Sequence, residues 1–105
     1  MVINLYNRIE LAKEFAYSIK SDIIKEIILF GSVARGEDNE ESDIDILIVT
    51  YTKDADFESI VDFKVGDFML EREEVISPYV MTEDYFNKTK EFSFLQNVLH
   101  DGIII

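Results

Sequence analysis

Two aspartates, Asp43 and Asp45, stand at the head of an apolar run, Ile46-Leu47-Ile48-Val49. Their i, i+2 spacing aims both carboxylates at one face of a strand. An earlier apolar run, Ile27-Ile28-Leu29-Phe30, ends on Gly31-Ser32, and the twelve residues Gly31 to Ser42 join the two runs. Paired carboxylates at a strand mouth suit a hard divalent cation, because magnesium is commonly held by one or two carboxylates together with substrate phosphates. A Gly-Ser turn adds backbone N–H groups unshielded by a β-carbon and one hydroxyl, which is what a phosphate chain needs. Each half also has a plainer reading, a solvated strand end and an ordinary turn. Against it stands the cost of two acids opening an apolar strand with nothing cationic to neutralise them.

The elements around these residues must bring them together. Both runs are short, β-branched or aromatic-rich, and bounded by turn residues, so each predicts a buried strand. If the strands are antiparallel neighbours, Gly31, Ser32, Asp43 and Asp45 converge on one corner of a sheet. Ser32 to Arg35 predicts a short helical turn with its N–H groups toward that corner, and Gly36 terminates it. Arg35 has two readings, a contact to a phosphate or nearby carboxylate and a surface cation balancing Glu37, Asp38, Glu40 and Glu41. That acidic run reads as a solvated loop.

The string Gly31-Ser32-Val33-Ala34-Arg35-Gly36 followed by Ser42-Asp43-Ile44-Asp45-Ile46 resembles the signature of the nucleotidyltransferase superfamily that includes DNA polymerase beta, and within it the minimal nucleotidyltransferases. The close match covers about twenty residues, and the order of elements on either side fits most of the chain. The resemblance implies an α/β (α+β) nucleotidyltransferase fold, a small mixed sheet of three to four strands covered by helices. It implies that Asp43 and Asp45 are the catalytic, magnesium-binding carboxylates. Gly31 and Ser32 then hold the triphosphate of ATP or another NTP; Arg35 is added as a candidate nucleotide contact from its place in the loop, not from the resemblance. The implied reaction is in-line transfer of a nucleoside monophosphate, AMP from ATP, with pyrophosphate leaving. Small proteins of this kind resemble the antitoxin half of a toxin–antitoxin pair whose partner is an all-helical HEPN ribonuclease. Some relatives transfer AMP onto a tyrosine of that partner, and a binding-only antitoxin is the alternative.

The chain departs from the family pattern at one position. A third carboxylate is expected on the next core strand, and Ser77 stands where it should be. Glu73 and Glu74, at that strand's entrance, are the other acids within reach, and they also read as solvated ends of the preceding helix.

The remaining elements follow from periodicity. Residues 4 to 20 carry Leu5, Ile9, Ala12, Phe15, Ala16 and Ile19 at helical spacing, with Asn4 as a cap. The first strand is expected from about Glu26 to Phe30, and the second, Asp43 to Thr50, is apolar on both faces and so central. Residues 54 to 72 predict a helix with Phe57, Ile60, Val61, Val65, Phe68 and Met69 on its apolar face; Gly66 inside it implies a kink or a close approach. Glu74 to Met81 predicts a third strand, placed at an edge or bulged by Pro78. Thr82-Glu83-Asp84 starts another helix, whose apolar face takes Tyr85, Phe86, Phe92, Leu95, Val98 and Leu99. Ser93 and Gln96 fit a capping box that restarts it near Phe94. His100, the one histidine, reads as a surface residue compensating the helix dipole. Gly102 ends the helix, and Ile103 to Ile105 is a short fourth strand or an exposed tail.

Composition sets the outer bounds. A chain of 105 residues is expected to form one domain, burying roughly two-thirds of its unfolded surface. With 48% hydrophobic and 30% charged residues it is a globular composition, not a disordered one. It has no cysteine, which excludes disulfides and thiolate metal sites. No apolar stretch reaches the length of a membrane span and no leader pattern opens the chain, so the expected location is cytoplasmic. A net charge of −12 without a basic cluster disfavours polynucleotide as a direct partner. It leaves open a metal-bound nucleotide, a basic protein partner and self-association through exposed apolar surface.

Overall fold

The computed structural model describes residues 6–105, so the expected cap at Asn4 and the apolar position Leu5 lie outside the described residues. The elements run α1 (Tyr6–Ser18), β1 (Ile24–Phe30), α2 (Gly31–Arg35), β2 (Ile44–Thr50), α3 (Ala55–Arg72), β3 (Ile76–Thr82), α4 (Glu83–Thr89), α5 (Ser93–Asp101) and β4 (Ile103–Ile104). The strands form one mixed sheet in the order β3-β2-β1-β4, antiparallel except for the parallel pair β2 and β3. This is the small mixed sheet with helical cover that the sequence predicts.

Alternation along β2 divides the core. Ile44, Ile46 and Ile48 face α1 and α3, packing with Ala12, Phe15, Ile19, Phe57 and Val61. Leu47 and Val49 face the other way, onto Leu95 and Val98 of α5. A strand apolar on both faces needs cover on both, which explains why β2 lies inside the sheet. Pro78 lies on β3, an edge strand, where a missing N–H is tolerated. Gly36 ends α2 with φ +71, the left-handed conformation that glycine adopts without strain.

Several boundaries differ from expectation. β1 starts at Ile24, because Ile24 pairs with Thr50 across a bulge that precedes Glu26. β2 starts at Ile44, one residue later than expected. β3 starts at Ile76, because α3 runs to Arg72 and Glu73 turns the chain in a left-handed cap. The capping box at Ser93 does not form. Phe92 is the cap residue, without a side-chain bond, and the Gln96 side chain instead donates to the Lys90 carbonyl. The fresh start of α5 changes the helical phase, so Leu95 and Val98 are buried while Tyr85, Phe92 and Leu99 are exposed. The tail becomes β4, whose Ile103 and Ile104 pair with Leu29 and Ile28.

α3 is uninterrupted through Gly66, and a β-carbon there would meet nothing within 4 Å. Neither a kink nor a close approach accounts for this glycine, and Ile60 and Met69 of the same helix are exposed rather than part of the core. An exposed helical glycine costs about 1 kcal/mol relative to alanine. Gly66→Ala is therefore expected to raise unfolding free energy by about that amount, read as a higher urea midpoint at unchanged slope.

Candidate functional site

The site begins with register. β1 and β2 pair antiparallel so that Phe30 lies opposite Asp45, and the next residue, Gly31, turns into α2. Gly31 has φ +77, and a β-carbon added there would collide with Oδ2 of Asp45. Glycine is thus required twice, for its backbone angle and for the carboxylate seated against it. Ser32 follows in the first turn of α2. The turn and the two acids do meet at one corner.

β3 completes the corner from the other side. Its parallel register sets Ser77 beside Asp45, and the Ser77 hydroxyl donates to Oδ2 of Asp43 at 3.0 Å. Asp43, Asp45 and Ser77 therefore share the sheet face that carries Leu47 and α5. Burial first, and then the negative charge of Asp43, raise the Asp45 carboxyl above the usual carboxylate range, while Arg35 pulls it back. Two oxygen-donor carboxylates on one face, one of them burdened by desolvation and a like charge, fit a hard divalent cation that takes its remaining ligands from phosphate and water. No cluster of three or more His, Asp or Glu side chains able to hold a metal exists among the described residues.

The two other acids proposed for that position are committed elsewhere or turned aside. Glu73 is the left-handed cap of α3. Glu74 is not a solvated helix end, because Arg8 donates to its Oε2 from Nη2 at 2.8 Å and from Nε at 3.1 Å. The same guanidinium binds Asp38 Oδ2 and the Asn39 carbonyl, both at 2.9 Å, and the carbonyl of Ser42. The Asp38 side chain is 1% exposed, and its Oδ1 has no partner. The acidic run is thus not wholly solvated: Asp38 is buried because Arg8 neutralises it. Arg8 ties α1, the loop before Asp43 and the approach to β3 into one knot. No local pattern marks it, since its partners lie 30 to 66 residues away.

Arg35 takes the surface-cation role in this conformation, with Nε on Glu37 at 2.8 Å and Nη1 on Asp101 of α5 at 3.4 Å. Its charge still acts on Asp45. His100 lies exposed in the last turn of α5, where a cation suits the helix end.

The family model for the nucleotidyltransferase domain matches residues 9–102. The chain belongs to the nucleotidyltransferase family. Two proteins of Methanocaldococcus jannaschii, each bearing the name "Putative protein adenylyltransferase", resemble this nucleotidyltransferase along nearly its whole length. One is 44% identical over 102 residues, covering 94% of this chain and 98% of the relative. The other is 34% identical over 99 residues, covering 90% and 95%. Among solved structures, a Sulfolobus solfataricus protein bearing the name "putative nucleotidyltransferase" aligns with TM-score 0.62 at 22% identity over 95% of this chain and 80% of its own. A toxin–antitoxin crystallised with AMP-PNP aligns with TM-score 0.57 at 18% identity, over 97% and 72%. These two likenesses speak for the fold.

Two outcomes follow from the geometry. Arg8→Met strands a buried Asp38 carboxylate without its cation and is expected to cost about 3 kcal/mol of stability, with Asp38→Asn in the same chain recovering part of it in urea denaturation. For Asp45, a raised native pKa means that the folded state holds the proton more tightly than the unfolded chain. Its ionised form is then a penalty, fully present above the raised pKa and lost as pH falls through it. Asp45→Asn is expected to raise the melting temperature of the metal-free protein at pH 7. That gain shrinks as pH falls toward the ordinary carboxylate value, as a pH series of thermal melts will read.

Proposed function

We propose that this nucleotidyltransferase moves AMP from ATP, with magnesium, onto a partner protein, and that the partner is the HEPN-type toxin of a toxin–antitoxin pair. The observation that carries the reading is the seating of the Asp45 carboxylate against Gly31, with Asp43 on the same strand face. The two relatives named as protein adenylyltransferases support AMP and a protein acceptor. The fold shared with a nucleotide-bound toxin–antitoxin supports the kind of partner.

In this reading Gly31 and Ser32 hold the phosphate chain by backbone N–H and hydroxyl, and Asp43 and Asp45 hold the divalent cation. Bound magnesium supplies positive charge to the entering and leaving oxygens. An acceptor hydroxyl forms a bond to the α-phosphorus while the α–β bridging P–O bond breaks, and pyrophosphate leaves with the electron pair. Arg35, whose Nε and Nη1 meet Glu37 and Asp101, has its Nη2 donors left to offer the phosphates. The acceptor proton passes to solvent or to a partner group, because Ser77 offers a hydroxyl, a weak base, where the family places a carboxylate.

Ser77 also favours a second reading, in which the same fold neutralises its partner by binding, with little or no transfer. Incubation with labelled ATP, magnesium and the HEPN protein separates the two. The enzyme reading expects label on the partner, reduced roughly a hundredfold or more by Asp43→Asn and raised roughly tenfold by Ser77→Asp. A tight complex without label, indifferent to Asp43→Asn, would establish the binder and refute the enzyme.

A further inference from the structure

Beside the carboxylates stands a cluster of three aromatic rings that the chemistry above does not use. Phe30, opposite Asp45, lies 5.4 Å from Tyr79 and 5.7 Å from Phe94 between ring centroids, and Tyr79 lies 5.3 Å from Phe94. Tyr79 follows Ser77 by two residues on β3, so it projects from the same sheet face, in the row of Leu47. Phe94 overhangs from the first turn of α5. Tyr79 and Phe94 remain 41% and 40% exposed. Rings of the core are buried, whereas these two stay partly open to solvent on the face that carries the paired acids.

We infer that Phe30, Tyr79 and Phe94 form the platform on which the base of the nucleotide stacks. The inference rests on the nucleotide-binding reading of Gly31, Ser32, Asp43 and Asp45. One strand step of two residues, about 7 Å, separates the Asp45 row from the Tyr79 row, and a ribose bridges a comparable gap between its 5′-phosphate and its base. The charge balance points the same way. A chain of net charge −12 repels a triphosphate, so affinity must come from a bound cation and from contacts that need no charge. Base–aromatic stacking is such a contact. A phenol side chain of an acceptor is the rival occupant, but the base is tethered to the phosphates and three rings offer more surface than one phenol covers. Stacking area favours a purine over a pyrimidine.

The test compares magnesium–ATP with magnesium–tripolyphosphate, which has the phosphates and no base, by calorimetric titration of the full chain. Phe94→Leu and Tyr79→Leu keep apolar volume and remove the π-face, and Phe63→Ala on the exposed side of α3 is the control. Each Leu variant is expected to weaken ATP roughly five- to hundredfold while leaving tripolyphosphate within about twofold, and Phe94→Trp is expected to restore ATP binding. Unchanged ATP affinity, or equal loss for both ligands, overturns the platform. Unchanged ATP affinity with loss of transfer to the acceptor overturns it in favour of the rival occupant. Failure of the unaltered chain to bind either ligand would instead sink the nucleotide-binding reading itself.

Discussion

The antiparallel register of β1 and β2 is the constraint on which the site depends. Because Phe30 lies opposite Asp45, the residue that leaves β1 must turn within van der Waals reach of a carboxylate. Only a glycine with a positive φ fits there, and Gly31 has one. A slip of one residue would send Asp43 and Asp45 to the face covered by α1 and α3, where two acids would be buried among isoleucines. The apolar alternation that drives Ile44, Ile46 and Ile48 into that core therefore also fixes where the acids point. Folding energy and site geometry come from the same strand.

Charge is the second constraint. With 22 acidic and 10 basic residues, the chain has few cations to spend near its acids. The side chain of Arg8 is placed where it serves several at once, meeting Asp38, Glu74 and two loop carbonyls. By holding Ser42, it fixes the backbone next to Asp43. By holding Glu74, it removes that carboxylate from the group of possible metal ligands. Arg35 is divided in the same way between Glu37, Asp101 and the field at Asp45. Among the described residues the acid pair itself is left without a full cationic partner, which is the electrostatic condition that a divalent ion relieves.

What could be read from the residues followed from how far each interaction reaches along the chain. The strands, the central place of β2, the edge position of β3 and the meeting of Gly31 with Asp45 were legible, because period-two patterning and two short motifs encode them. The serine beside Asp45 was legible only through the family resemblance, which aligns Ser77 with the expected third carboxylate; the parallel register of β3 is what sets it there. The Arg8 knot was not legible. Its partners are distant in sequence, and an arginine on the polar side of a helix looks like any other. The capping box failed because a competing local bond took its glutamine: Gln96 donates to the Lys90 carbonyl in the turn that precedes α5. The buried Asp38 was hidden inside an acidic run whose other members are exposed.

Ser77 joins these strands of reasoning. Two carboxylates and a hydroxyl make a site with less negative charge than three carboxylates, so it repels a triphosphate less and grips a cation less. In the proposed reaction the first effect helps nucleotide capture, the second weakens metal binding, and the hydroxyl, a weak base, slows the proton transfer that turnover requires. A site balanced this way gains most from a partner that brings its own acceptor, and its own base, to the open side of the sheet. In the proposed reading, the turn, the acid pair and the aromatic rings hold the nucleotide, and the acceptor and its base come from the partner.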